Sequence, residues 1–541
     1  MAEDVDESAI GPLRAKWQGF VARAAPHWVL LPGLLLGLVL RLWHLLPTFL
    51  YGDEAEYAAV ASSLAHDPRA LQYPPIEGFG PVPFVSQPPF LLYTFAAAIK
   101  LTGSEVAGPL LVSALLGTAT IAVVYALGVL VRDRWLGGLA AVFLAVLPFH
   151  VAVSRSGQLD AGFTFLFSLS LLLFLLWLRR PTLGTALATG CAVAATALAK
   201  LPGILVLVPI IAVLATRAMR DRKTARLDRD LRRREAARAR LRATGWHVLA
   251  AALPLAVLTL GYLLHLWLLH ATADFAAKLG WQAHRVQGAT SGNLQRGWDW
   301  YFTAPDVGLL AQWGVALAGL ALFGWAMALR DLRDPARRWT MMTLLIWPVV
   351  VLLFLIASQR KEWFYALPLS PAGVLLATWP VHAGARKAWL LSRPTPGDPW
   401  WKTPGAVLAV VGFAALAAFA PLHFSLQQRV GGDDYGYGVR EAAAWIEGQD
   451  PAAAQVGTTL GRFSLHLYNG HPTYHYYVNH TWMDQQVEEG ALRYVVLDPY
   501  LDLTFEQDWM RGFVADHNGT LVQSFDNHHG RQVDVYQLAS A

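Results

Sequence analysis

Cysteine and charged residues are both scarce in this sequence. Among its 541 residues Cys191 is the single cysteine, so no disulfide can form within the chain. Charged residues make up 15% of the sequence, hydrophobic residues make up 55%, and the mean hydropathy is +0.37. These values exclude a disulfide-rich secreted domain and an ordinary soluble domain, and they predict an α-helical polytopic membrane protein.

Long apolar runs take up most of the chain. A helix needs about 20 apolar residues to cross roughly 30 Å of hydrocarbon, and about eleven runs approach that length. We place them at residues 28–49, 106–131, 135–152, 161–178, 184–199, 201–216, 246–269, 307–329, 339–357, 364–380 and 404–424. A further apolar segment, 90–101, is short and contains Lys100, and we expect it to be interfacial or re-entrant.

Arginine and lysine fall mainly in alternate connections between these runs. They precede the first run and recur at 132–134, 179–180, 217–242, 330–338 and 386–387. Because basic loops stay cytoplasmic, we expect a multi-pass plasma membrane protein with a cytoplasmic N-terminus. The net charge of +5 is concentrated in the loop 217–242, which we interpret as a topology determinant that touches anionic headgroups rather than as a nucleic-acid site.

The composition changes near Gly431, where apolar runs shorten and acidic residues, His, Asn and Tyr become common. Residues 440–447 have helical periodicity, and short strands are predicted at 455–459, 494–497, 520–525 and 533–538. We therefore divide the chain into a cytoplasmic segment, a membrane domain and a small extracytoplasmic α/β domain. Their boundaries are 1–27, 28–425 and 426–541.

Carboxylates lie at the predicted outer face of the membrane domain. Asp53, Glu54 and Glu56 follow the first apolar run directly, where an ionised cluster predicts chemistry. Asp160 begins a later helix at the same face. It is either a helix N-cap or a second carboxylate of the same site.

Basic residues at the outer face are unusual and therefore informative. Arg360 and Lys361 are a candidate pair for binding an anion such as phosphate, and the alternative is a solvated loop that pairs with Glu362. His284 and Arg285 are weaker candidates of the same kind, and surface charge is the alternative for both.

Lys200 ends an apolar run before Leu-Pro-Gly and is either part of the site or a cation that snorkels to the interface. His471, His475 and His480 in the tail could suggest zinc, but their neighbours are Tyr and Asn, which favours a structural or surface role.

Together these residues resemble the GT-C class of polytopic glycosyltransferases. The chain is similar to the superfamily of dolichyl-phosphate-mannose protein mannosyltransferases and 4-amino-4-deoxy-arabinose lipid A transferases. The matches, spread over about residues 28–380, are Arg41, Asp53-Glu54-Ala-Glu-Tyr57, Gln87-Pro-Pro-Phe90, Ser154-Arg155 to Asp160-Ala161, Ala199-Lys200, and Arg360-Lys361 with Tyr365-Ala-Leu-Pro368. Asp-Glu with a following Tyr is the most specific of them.

The resemblance implies a membrane glycosyltransferase with a polyprenyl-phosphate sugar donor. An acceptor hydroxyl would attack the anomeric carbon in a single inverting displacement on the extracytoplasmic face. Asp53 would be the general base, Glu54 would position the acceptor or hold a metal, and Asp160 would be the second carboxylate. Arg360 and Lys361 would stabilise the departing phosphate, with Tyr365 and Lys200 beside them.

The substrate cavity predicted from the resemblance includes further residues. They are Tyr57, Gln87, Arg155, His284 and Arg285. Gln87 departs from the family pattern, in which many relatives carry His or Lys before Pro-Pro, so this loop either contacts phosphate or only shapes the cavity. A divalent cation held by Asp53, Glu54 and Asp160 is a further possibility.

Other functions also need outer cations and a lipid-accessible cavity. The alternatives are a transporter or flippase for lipid-linked sugars and a non-catalytic binder of them. Transport sites commonly lie near the bilayer midplane in repeated halves, whereas Asp53 and Asp160 are predicted at one face and no repeat is visible. The residues do not identify the sugar, and the acceptor could be a lipid, a protein or a polysaccharide.

Overall fold

A computed structural model describes most of the chain. The described residues are 25–46, 50, 53–73, 82–228, 230–287, 297–304, 309–358, 361–392, 404, 408, 412, 438–451, 455–458, 473–475, 480–497, 504–526 and 532–539. For some of these, including His284 and Arg285, only the backbone is described.

The described residues up to Ser392 are mainly helical. Their helices are α1 (Leu31–Leu42), α2 (Asp53–His66), α3 (Phe90–Thr102), α4 (Ala107–Val131), α5 (Arg134–Val146), α6 (Pro148–Ser154), α7 (Leu159–Arg179), α8 (Leu183–Ala197), α9 (Leu207–Leu227), α10 (Leu231–Leu268), α11 (Thr272–Gln287), α12 (Trp300–Thr303), α13 (Leu309–Asp331), α14 (Arg338–Ala357) and α15 (Leu369–Leu391). Short 3-10 helices are also described at Ala25–Leu30, before α1, and at Leu201–Val206 and Trp363–Ala366. One large apolar core runs through these helices and encloses Trp347 and Trp379 completely.

Within the residues that the structure describes, six helices are long and apolar enough to cross a membrane, and the bent pair α5 and α6 would add a seventh. The predicted count of eleven spans is not confirmed. Within the described residues, the runs 28–49 and 184–199 contain only the shorter apolar helices α1 and α8. The run 404–424 lies almost entirely outside the described residues.

Two predicted loops contain helices. The basic segment 217–242 forms the ends of α9 and α10, which continue beyond their apolar parts and meet near Asp228 and Asp230. The connection 270–306 contains α11 and α12. Because polar helix ends lack an apolar stripe, hydropathy alone gives them the appearance of loops.

The predicted span 135–152 is broken into α5 and α6, which are bent by 63° relative to each other. The break falls at Leu147, directly before Pro148, which opens α6. Proline cannot donate a helical hydrogen bond and its ring clashes with the preceding turn, so the helix ends here. The carbonyls at the end of α5 are therefore left without helical donors.

Close helix packing depends on small residues. A Cβ atom added at Gly190 of α8 would lie 2.1 Å from the carbonyl oxygen of Ala251 in α10, which is impossibly close. The two helices therefore approach with backbone against backbone, as small residues allow in membrane helices.

The described residues from 438 onward form a mixed sheet and three helices. The elements are α16 (Val439–Gln449), β1 (Gln455–Thr458), β2 (Thr473–His475), α17 (His480–Glu488), β3 (Leu492–Leu497), α18 (Thr504–Asp516), β4 (Thr520–Asp526) and β5 (Gln532–Gln537). The strand order is β2-β1-β3-β5-β4, with β1 parallel to both neighbours and β5 antiparallel to both of its own. The predicted strands coincide with β1, β3, β4 and β5. The domain boundaries themselves stay a prediction.

Candidate functional site

A cavity of about 340 Å³ lies between α7, α11, α14 and the segment around Leu201–Val206. Its polar lining is Gln87, Asp160, Lys200, Ser358 and Tyr365. Its apolar lining is Phe163, Phe167, Leu201, Pro202, Ile204, Leu205, Leu279, Ala283, Val351, Phe354 and Pro368. The cavity is therefore amphiphilic, and the 52% exposure of Ile204 places part of its wall at the protein surface.

Asp160 and Lys200 form a buried ion pair in the wall of this cavity. The Lys200 Nζ atom donates to both carboxylate oxygens of Asp160 at 2.7 Å, and both residues are at most 5% exposed. Asp160 is in the first turn of α7, but the N-cap is Gln158 and makes no side-chain cap bond. The N-cap interpretation of Asp160 and the snorkelling interpretation of Lys200 are therefore both wrong.

Aromatic rings and an amide complete the polar end of the cavity. The Lys200 ammonium lies 4.7 Å from the ring centroid of Tyr365 and 5.4 Å from that of Phe364, within the range of a cation–π contact. The Gln87 side-chain oxygen accepts the backbone N–H of Leu201 at 3.3 Å. Gln87 thus ties the proline-rich loop to the residue that follows the lysine.

Asp53 and Glu54 lie at the start of α2, outside the lining of this cavity. Asp53 is exposed and Glu54 is half-buried next to Gly157. The Asp53 charge nevertheless acts electrostatically on both Asp160 and Tyr57. Asp53 and Asp160 are therefore near one another but differ in environment: Asp53 is exposed to solvent, whereas Asp160 is buried in the cavity wall.

Tyr57 is buried on α2 behind these carboxylates. Burial, followed by the charges of Asp53 and Glu56, raises the pKa of Tyr57 well above its ordinary value, so the phenol stays protonated. The phenol of Tyr73 donates to Glu56 Oε1 at 2.6 Å, and Phe84 lies edge-on to both tyrosine rings. This cluster fastens the first loop to α2.

Lys361 has a different environment from that predicted for a phosphate ligand. It is 1% exposed, and its ammonium donates to the carbonyls of Leu355 at 2.8 Å, of Ile356 at 3.3 Å and, at short range, of Ser358. Burial lowers the pKa of this lysine, although Asp299 partly offsets the effect. Within the described structure, Lys361 caps the C-terminal end of α14 and does not line the cavity.

Arg155 also serves a helix end. Its guanidinium donates to the carbonyls of Leu40, Arg41, Trp43 and His44 at distances of 2.5 to 3.3 Å. These are the last carbonyls of α1 and the two that follow it, which have no helical donors. Arg155 does not line the cavity predicted to contain it.

A second buried arginine joins α1 to the break after α5. Arg41 is 0% exposed and donates to the carbonyls of Gly37 at 2.9 Å and Ala145 at 3.1 Å. It also donates to His150 Nδ1 at 2.8 Å, so that ring nitrogen must be an acceptor. The sequence analysis missed His150; a polar residue two positions after Pro148 in an apolar run was the signal that could have found it.

The metal site considered for Asp53, Glu54 and Asp160 is not formed. Among the described side chains, no group of three or more His, Cys, Asp and Glu is close enough to hold a metal ion. Both oxygens of Asp160 are already occupied by Lys200.

Several predicted residues fall outside the described structure or are described only by their backbone. Arg360 and His471 belong to the first group, and His475 and His480 to the second. His284 and Arg285 lie on α11, whose Leu279 and Ala283 line the cavity, but their side chains are not described. The phosphate and cavity roles predicted for Arg360, His284 and Arg285 stay predictions.

Residues 86–227 match the family model of the dolichyl-phosphate-mannose-protein mannosyltransferases. This segment contains Gln87, Asp160 and Lys200, which are three of the five polar residues that line the cavity. No curated protein sequence matches the chain.

Solved structures resemble most of the chain. ArnT from Cupriavidus metallidurans bound to undecaprenyl phosphate is 18% identical with a TM-score of 0.60, covering 96% of this chain and 99% of that one. The Archaeoglobus fulgidus oligosaccharyltransferase AglB in complex with an inhibitory peptide and a dolichol-phosphate is 17% identical with a TM-score of 0.57, covering 88% and 70%.

At these identities the structural comparisons establish the fold, whereas the family match concerns residues 86–227. The predicted resemblance is therefore confirmed: the chain has the fold of the GT-C glycosyltransferases, and its residues 86–227 are similar to the dolichyl-phosphate-mannose-protein mannosyltransferases.

Proposed function

We propose that this protein is an inverting membrane glycosyltransferase that moves a sugar from a polyprenyl-phosphate donor to an acceptor hydroxyl on the extracytoplasmic face. The observation that carries the proposal is the amphiphilic cavity, which joins one buried cation to a long apolar wall. A lipid-linked sugar phosphate has two parts that complement this lining: an anionic phosphate for the cation and an apolar chain for the apolar wall. The lipid chain would then stay in the bilayer throughout the reaction.

Lys200 is the cation that we assign to the donor phosphate. It lines the cavity, whereas the ammonium of Lys361 is enclosed by three carbonyls at the end of α14. Without a donor, Asp160 neutralises Lys200, so the site does not contain an uncompensated buried charge. With a donor, the lysine would share its charge between Asp160 and the phosphate.

Asp53 is the general base in this proposal. A base must be ionised and reachable by the acceptor, and Asp53 is exposed while Asp160 is buried and already paired. The acceptor oxygen would attack the anomeric carbon and transfer its proton to Asp53. The bond between that carbon and the phosphate oxygen breaks, and its electron pair leaves with the polyprenyl phosphate.

Tyr57, Glu54 and Gln87 would have supporting roles. Tyr57 stays protonated and can donate near the carboxylates, and Glu54, in the first turn of α2, would orient the acceptor. Gln87 would shape the cavity through its bond to Leu201 rather than contact phosphate directly. The acceptor would be a lipid, a protein or a polysaccharide, because these residues do not distinguish between them.

The test uses the purified full-length protein and individually radiolabelled polyprenyl-phosphate sugars, with candidate acceptors present. We expect one donor to be retained and its sugar to be transferred. In Asp53→Asn, transfer should fall about 10²–10⁴-fold because the base is lost, while donor retention persists.

The matched control is Asp67→Asn, which removes a carboxylate just beyond the opposite end of α2. Transfer by this control should equal that of the unmodified protein. Intact transfer by Asp53→Asn would show that another group is the base. Donor retention without any transfer would instead indicate a carrier or a non-catalytic binder.

A further inference from the structure

A second cavity, of about 450 Å³, lies where α9, α10 and α14 meet, far from the first. Its lining, which we name the arginine pocket, is Arg217, Arg220, Asp221, Thr224, Asp228, Arg233, Ala236, Arg240 and Trp339. Lys200 and Arg217 are separated by most of a membrane-crossing helix, on the order of 25 Å along its axis. The arginine pocket therefore does not belong to the candidate active site.

The arginine pocket has an excess of positive charge. Its lining contains four arginines and two aspartates. Asp221 is occupied by Arg240 at 3.0 Å, and Arg233 has only a loose, exposed contact with Asp230 at 3.6 Å. Over the part of the chain that the structure describes, neither Arg217 nor Arg220 takes part in an ion pair.

The pocket is a built cleft rather than a row of solvated side chains. The Arg240–Asp221 pair links α10 to α9, and Arg234 Nε donates to the carbonyl of Ala225 at 3.2 Å across the same two helices. Asp230 accepts the backbone N–H of Arg232 at 2.9 Å and so caps the start of α10. These contacts hold both arms of the hairpin in place around the cleft.

The pocket also lies at the level expected for lipid headgroups. The apolar part of α9 ends at Thr216, directly before the first of its arginines, Arg217. Trp339 forms part of the wall and packs against the core of the membrane helices. Tryptophan at such a position is typical of the interface between hydrocarbon and water.

We propose that the arginine pocket binds a phosphate group, which the headgroup of an anionic phospholipid supplies. Guanidinium groups match phosphate oxygens with paired hydrogen bonds, and Arg217 and Arg220 are the two that lack an ion pair among the described residues. The arginine pocket lies at the end of the apolar part of α9, which favours a lipid headgroup over soluble phosphate, although both would present phosphate oxygens to the arginines. This site is independent of the proposed transfer reaction.

The test is native mass spectrometry of the full-length protein, delipidated in detergent and titrated with phosphatidylglycerol or phosphatidylcholine. The variant R217Q/R220Q removes the two arginines from the pocket. The control R232Q/R238Q removes the same charge from exposed positions of α10 that do not line it. We expect one phosphatidylglycerol to bind at least about tenfold more weakly to the pocket variant than to the control.

Competition with inorganic phosphate shows whether the bound phosphate group comes from a lipid headgroup or from a soluble ligand. Displacement only by a second anionic lipid would support a headgroup, whereas displacement by millimolar phosphate would support a soluble ligand in the same pocket. Equal weakening in the pocket variant and the control, or equal binding of both lipids, would overturn the proposal. A circular dichroism spectrum and thermal midpoint for each variant verify that it is folded.

Discussion

The starts of α2 and α7 carry carboxylates in the same local position but in opposite surroundings. Asp53 is the first residue of α2 and is exposed, while Asp160 is the second residue of α7 and is 2% exposed. Both benefit from the positive end of a helix dipole, so local structure does not distinguish them. The difference is Lys200, which pairs with one carboxylate only. In the mechanism that we propose, this difference in environment is the reason for choosing Asp53 as the base and Asp160 as the counter-charge of Lys200.

Removing the charge at each position should separate the two roles most strongly. Asp160→Asn leaves the Lys200 ammonium buried without a counter-charge, which we expect to destabilise the fold by about 3–5 kcal/mol. Asp53→Asn removes an exposed charge and should change stability by less than about 0.5 kcal/mol. Denaturant unfolding in detergent measures both, and equal losses would show that the contrast in burial has no energetic meaning.

Replacing both members of the pair should restore much of the stability. In the double variant Asp160→Asn with Lys200→Met, neither charge of the pair remains. Its loss in free energy of unfolding should therefore be smaller than the sum of the two single-variant losses by about 1–3 kcal/mol. Sugar transfer by the double variant should be lost, since it lacks Lys200, the cation that we assign to the donor phosphate. Strict additivity of the two losses would mean that the residues do not interact as the 2.7 Å contacts indicate.

A smaller change tests whether Lys361 or Lys200 serves the donor. Lys361→Met leaves three carbonyls at the end of α14 without this donor and should lower stability by about 1–3 kcal/mol, with donor affinity unchanged. Lys100→Met, at an exposed lysine of α3, is the control. Weaker donor binding at unchanged stability would instead support the phosphate role predicted from the sequence.

The smallest expected effect concerns Glu56, the third carboxylate of α2. Tyr73→Phe removes the 2.6 Å hydrogen bond to Glu56 and should lower stability by about 1 kcal/mol. Transfer should be unchanged, because the proposed base is Asp53. A large loss of transfer would show that the loop held by Tyr73 takes part in the reaction.

Much of the helical fold follows from the sequence. The apolar runs predicted α4, α7 and α14 to within a few residues, because long uninterrupted apolar stretches leave few alternatives in a bilayer. The break at Pro148 was missed because hydropathy averages across a proline. The ends of α9 and α10 were missed because they are polar.

The candidate site was predictable only in part. Asp53, Asp160 and Lys200 could be singled out as charges at the ends of apolar runs, but nothing local shows that Asp160 and Lys200, 40 residues apart, form a pair. Arg155 was assigned to the substrate cavity because of the family resemblance, and Lys361 was assigned to the donor phosphate as a basic residue at the outer face. A buried cation whose partners are backbone carbonyls has the same appearance in a sequence as one that binds an anion.

The buried Arg41 also sets an order of events during synthesis. Its acceptors at Leu144, Ala145 and His150 follow it by 103 to 109 residues. At about 5–20 residues per second, the ribosome needs roughly 5–20 s to supply them. During that interval the apolar helix α1 carries a cation without those partners, so the first helix reaches its final environment only when the sixth has been made.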